Sequence, residues 1–124
     1  MATVYTSVGE TIVVDLVDGT SAVHLDATNG KVAWGTGAGT AAKADTTLFT
    51  EAAEARVAPT VTQPTADKNQ WVGTITCAGA GKTITNAGLF DAAAAGNLII
   101  HGDFTGIALN VGDKIEFTIS LEQS

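Results

Sequence analysis

The chain is defined first by what it lacks: one cysteine, six basic residues against thirteen acidic ones, and an aromatic content of only 6%. With Cys77 alone, no intrachain disulfide can form. Cys77 lies in an alternating apolar run with Trp71 and Ile75, and the nearest base in sequence is Lys82, so it reads as a small core residue and not as an activated thiol. The net charge of −7 argues against direct phosphate binding, which needs Lys and Arg to displace counterions, and against an anionic membrane surface. Neither nucleic acid nor membrane is therefore expected as a partner. No apolar run approaches the ~20 residues of a membrane-spanning helix. The start, Met1 to Thr6, lacks the basic and apolar regions of a signal peptide, so production in the cytoplasm is the expectation. The scarce aromatics leave a core built mostly of Ala, Val and Ile. A chain of this length buries roughly two-thirds of its unfolded surface, so contacts between subunits would add useful stability.

Catalytic patterns are also missing. Ala78-Gly79-Ala80-Gly81-Lys82-Thr83 imitates a phosphate loop, but Thr76 stands where the first glycine is required, and the following Thr83-Ile84-Thr85 reads as extended instead of helical. A Gly-rich hairpin tip is the expected form. Gly35-Thr36-Gly37-Ala38-Gly39-Thr40 misplaces the third glycine of a dinucleotide loop and has no βαβ pattern around it. His24 and His101 are both expected on outward strand faces. His101 and Asp103 share one face, which supplies two metal ligands where three or four are needed. No serine sits in a nucleophile elbow. The aspartates at 15, 18, 26, 91, 103 and 113 mostly stand beside Gly or Asn in turn contexts, where the carboxylate bonds to nearby amides, and no EF-hand spacing is present. The reading is a protein that is not an enzyme and has no cofactor, no metal and no small-molecule substrate.

What is present is period-two hydrophobicity. Ile115, Phe117, Ile119 and Leu121 alternate with Lys114, Glu116, Thr118 and Ser120, the mark of a half-buried strand. Ile12, Val14 and Leu16 form a similar set, and Val13 and Val17 make the opposite face apolar too, so this segment is read as a strand whose second face is a candidate subunit contact at Val13 and Val17. Asn29-Gly30 predicts a hairpin over 21–35. Gly35 to Thr46 reads as loop, Leu48 and Phe49 as apolar side chains tucked under the sheet, and Glu51 to Arg56 as a short helix or bend. Val57, Pro59 and Val61 mark an extended run at an edge or beside a bulge. Trp71, Ile75 and Cys77 share one face; Leu98, Ile100 and Phe104 share another. Short strands between turn signals, without a convincing amphipathic helix, predict an all-β single-domain β-sandwich over 1–124, jelly-roll or related Greek-key, with about eight strands and little helix. Residues 1–9 read as an N-terminal arm or exchanged strand, with a strand of the chain's own sheet as the other option.

The segment Lys82-Thr83-Ile84-Thr85-Asn86-Ala87-Gly88-Leu89-Phe90-Asp91, followed by Gly96-Asn97-Leu98-Ile99-Ile100-His101-Gly102-Asp103-Phe104, resembles small virion proteins of tailed bacteriophages. Trp34-Gly35-Thr36-Gly37, Glu51 to Arg56, Trp71-Val72-Gly73-Thr74-Ile75 and Val111 to Thr118 continue the likeness in order, over most of residues 33–121. The resemblance implies a capsid decoration, or cement, protein made in the host cytoplasm and placed on the outer surface of the head. There it would bridge capsomers by binding the major capsid protein, with a homotrimer as the expected self-partner. Other members of that group carry tail-fibre labels, which implies the alternative of a tail, baseplate or fibre component with possible glycan binding.

Overall fold

The computed structural model describes residues 2–20 and 24–123. Its elements run β1 (Ala2–Tyr5), α1 (Ser7–Asp18), β2 (Lys31–Gly35), β3 (Thr60–Thr65), β4 (Lys68–Thr76), β5 (Lys82–Phe90), β6 (Leu98–Leu109) and β7 (Lys114–Glu122). The fold is all-β: seven strands in two antiparallel sheets, ordered β1-β6-β5-β2 and β3-β4-β7. The β5–β6 hairpin lies in one sheet while the flanking strands β4 and β7 pair along nine residues in the other. One antiparallel pair is thus nested inside another across the two sheets of the sandwich. β1 pairs with β6 of its own chain, Ala2 opposite Asp103 through Tyr5 opposite Ile100, so the N-terminal segment is a strand of the chain's own sheet and neither an arm nor an exchanged strand.

The sheets meet over Val32, Trp34, Trp71, Ile75, Cys77, Ile84 and Leu89, all nearly fully buried. Trp71 and Ile75 of β4, with Cys77 just past its end, share the inward face as expected, and the Ile115 to Leu121 set forms the half-buried face of β7. The four-stranded sheet is covered on its other face as well. Residues 36–59 fold back across it as a strap, and Leu48 seats against Ala33, Phe90 and Leu98 in a second apolar cluster. This double cover explains why β5 and the first half of β6 read as continuous burial and not as alternation. Residues 51–57 then run along the outer edge of β2, with reciprocal backbone bonds between Val32 and Val57 at 2.9 Å.

Four further expectations about these elements need correction. Residues 12–17 are helical. Their β-branched side chains favour a strand locally, but Thr6 caps the helix by accepting the Gly9 N–H on its hydroxyl at 3.0 Å, and Gly19 closes it in the left-handed region at φ 81°. Tertiary packing decides the outcome: Gly9 lets the helix approach β6 so closely that a Cβ there would sit 2.6 Å from the Ile99 carbonyl oxygen. The expected hairpin over 21–35 is replaced by a turn at 26–30, in which the Asp26 carboxylate accepts from the Thr28 and Asn29 amides at 2.9 Å. β2 pairs with β5 instead, and the Val23 side of that hairpin lies outside the described residues. Gly79 and Gly81 do not form a hairpin tip, because β4 and β5 belong to different sheets and the loop carries the chain across. Leu98 and Ile100 do not share a face: a bulge at Ile99 sends Leu98 to the strap side and Ile100 to the inter-sheet core.

Candidate functional site

The helix carries the most unusual surface. Gly9, Ile12 and Leu16 lie toward the sheets at helical spacing, and the apolar arc continues past them through Val13 to Val17 and Val14. Val14 is 63% exposed and Val17 84% exposed. The two predicted contact residues, Val13 and Val17, are brought together by one helical turn rather than by strand alternation. They differ in environment. Val13 is half-buried and, with Leu16, Val61, Trp71 and Leu121, lines a groove of about 320 Å³; Val17 projects into solvent. Val14 was missed by sequence reasoning, since in a strand it would have pointed inward.

The ionic groups are structural. Glu54 accepts from the Ala78 amide at 3.0 Å, the Trp34 indole at 3.1 Å and the Lys82 ammonium. Burial would raise its pKa, yet these three donors outweigh burial and hold the carboxyl at about 2. Lys82, the lysine of the phosphate-loop imitation, is therefore committed to Glu54 and to the Ala78 carbonyl at 3.3 Å. Arg56 grips Glu51 through two parallel bonds of 2.8 and 2.9 Å, donates to the Ala92 and Ala95 carbonyls, and stacks 3.6 Å over the Phe90 ring. The sequence pattern indicated neither site: Glu54 and Lys82 are 28 residues apart, and Arg56, though only five residues from Glu51, finds its carbonyl partners at Ala92 and Ala95 far along the chain.

His24 is exposed as expected, but His101 is fully buried. Its face of β6 is covered by the strap, which supplies Asp45 at 2.7 Å to Nδ1, while β5 supplies Asn86 at 3.0 Å to Nε2. Asp103 shares that side and accepts from the Ala41 amide at 2.8 Å and the Ala2 amide at 3.2 Å, so its carboxyl is held below the usual range, first by Ala41. Among the described residues, no three His, Cys, Asp or Glu side chains converge as metal ligands. No described helix is long and apolar enough to cross a membrane.

A comparison with family models matches residues 6–122 to the family described as podophage GP4 fiber I protein gp80. No curated protein matches the chain. The match begins at the residue that caps α1 and ends within β7, so it spans every element except β1. By this match the chain belongs to the podophage GP4 fiber I protein gp80 family, a family of phage virion structural proteins.

Proposed function

We propose that this chain is a structural subunit of a phage tail fibre or adjoining tail appendage, acting by assembly and not by catalysis. The observation that carries the proposal is the match of a fiber-protein family to nearly the whole chain. The apolar stripe of α1 supports it: Val13, Val14 and Val17 are offered as the contact between copies, with a homotrimer as the arrangement by analogy. Burying Val14 and Val17 at a subunit joint would remove their exposed apolar area from water. Glycan recognition is left out of the proposal, because none of the described aromatic side chains is exposed to act as a stacking platform for a sugar ring.

The second reading keeps the protein on the virion but moves it to the head, as a cement protein bound to the major capsid protein on the outer surface. The acidic charge suits docking on a basic protein surface in either case. Gold-labelled antibody against the purified protein, imaged on intact virions by electron microscopy, separates the two. Label on tail appendages is expected; label spread over the head would replace the fibre reading with the cement reading.

A further inference from the structure

The sheet edges are not protected alike. Residues 51–57 cover the outer edge of β2 through the Val32–Val57 bonds and the Gly35–Glu51 bridge. β3 carries Pro64 and a register shift between Thr62 and Thr65, and β1 is only four residues long. β7 has none of these devices. It is nine residues long, holds unbroken register with β4 from Lys114 to Glu122, and contains no proline. Among the described residues no strand pairs with its other edge.

The phase of the ladder fixes which groups face that edge. The Cys77 amide donates to the Asp113 carbonyl at 2.7 Å, and the Gln123 amide to the Asp67 carbonyl at 2.8 Å, both in register with the β4–β7 pairing. Odd-numbered residues of β7 therefore bond to β4. In an antiparallel pair the alternate residues turn their N–H and C=O groups the other way. Those of Glu116, Thr118, Ser120 and Glu122 thus point to the open edge.

The space beside this edge suits a single strand. β4 lies over β2 and β7 over β5, so β6 and β1 extend past β7 with no strand of the second sheet above them. A hollow of about 190 Å³ results, with the small residues Thr3, Ala87 and Gly102 and the half-buried rings of Phe104 and Phe117 in its lining. Thr118 and Ser120 border it from the edge of β7. Farther along β6, Ile107 stands opposite the buried Ile84 yet is 43% exposed. A second folded copy does not fit: pairing β7 with its β7 would set that copy's β5 in the layer where β6 already lies. The chain's own first strand is committed to β6. The outward positions of β7 carry Glu116 and Glu122 against Lys114, in a chain of net charge −7, which favours a basic partner.

We propose that the outer edge of β7 receives one extended segment of another virion protein, added to the sheet as a further strand above β6. Its alternate apolar side chains enter the hollow, and Lys or Arg among the outward ones lie beside Glu116 and Glu122. This surface is separate from the α1 stripe, and the proposal stands whether the chain sits on the tail or the head.

The test is hydrogen exchange, resolved to single amides by mass spectrometry, on the isolated chain and on purified virions. In the isolated chain the Glu116, Thr118 and Ser120 amides should exchange at least about tenfold faster than those of Phe117 and Ile119, and in virions they should slow by at least about tenfold. Thr118→Pro removes one edge N–H and spares the bonds to β4, whereas Thr118→Ala keeps it. The folded proline variant should lose the slowing at Glu116 and Ser120 or be depleted from particles, and the alanine variant should do neither. Edge amides that exchange in virions as they do in the isolated chain, or a slowing that survives Thr118→Pro, overturn the proposal. Slowing that appears in the isolated chain at high concentration assigns the edge to a second copy and overturns the choice of partner. The wild-type comparison decides this even if the proline variant does not fold.

Discussion

Replacing Gly9 with alanine tests whether residues 7–18 are a helix docked on β6. On an exposed helix the change stabilises by about 1 kcal/mol, because glycine gives up more backbone freedom on folding. Here the new Cβ would lie 2.6 Å from the Ile99 carbonyl oxygen and 2.9 Å from its Cγ2. The obstructing atoms include backbone of a central strand, so the helix must shift outward. Overpacking of this kind costs about 1–3 kcal/mol, which exceeds the helix-propensity gain. The net expectation is a loss of up to about 2 kcal/mol, a fall in Tm of up to about 8 °C for a domain of this size. Gly19→Ala is the companion: it has open space but a left-handed φ of 81°, so its cost of about 1 kcal/mol arises from backbone strain alone. Thermal and urea unfolding followed by circular dichroism would measure both. A Gly9→Ala variant more stable than the wild type would refute the docked helix, and with it the placement of Val13, Val14 and Val17.

Two further changes address the strap and the core. Leu48→Ala empties the centre of the cluster formed with Ala33, Phe90 and Leu98 and should cost about 2–4 kcal/mol in urea unfolding; a loss under 1 kcal/mol would mean the strap is not a true cover. Glu54 has a carboxyl lowered from the usual 4.5 to about 2 in the folded chain, so its contribution is complete above about pH 4.5 and is lost as the pH falls toward 2. Its side chain is 6% exposed and that of Lys82 18%, which sets the expected loss at about 1–3 kcal/mol. Glu54→Gln should flatten that part of the acid-unfolding curve, and an unchanged curve would remove Glu54 from the account.

The sheets were legible because their signals are local. The alternation of Ile115, Phe117, Ile119 and Leu121, and of Trp71, Ile75 and Cys77, survives folding because one side of each strand faces the inter-sheet core. The helix was not legible, because Thr11-Ile12-Val13-Val14 has strand-forming side chains and the deciding facts are the Thr6 cap and the close approach at Ile99. The caps were readable in hindsight: a threonine before the run, and Asp18-Gly19 after it. His101 was misjudged for a related reason. Strand alternation puts it on the face opposite the sheet core, and sequence alone does not reveal that the strap covers this face. The candidate contact was half legible: the excess of valine at 13 and 17 was visible, while its helical presentation and the part played by Val14 were not.

The central claim is that the chain works by assembling into the virion through α1, and Val17→Asp tests it most directly. Val17 is 84% exposed, so the change should leave the folded domain intact. Phage carrying the variant would be purified and the amount of this protein per particle measured by quantitative mass spectrometry, beside the circular dichroism and sedimentation of the isolated chain. The account predicts a folded variant that self-associates more weakly and is strongly depleted from particles. A folded variant incorporated at the wild-type level would contradict it.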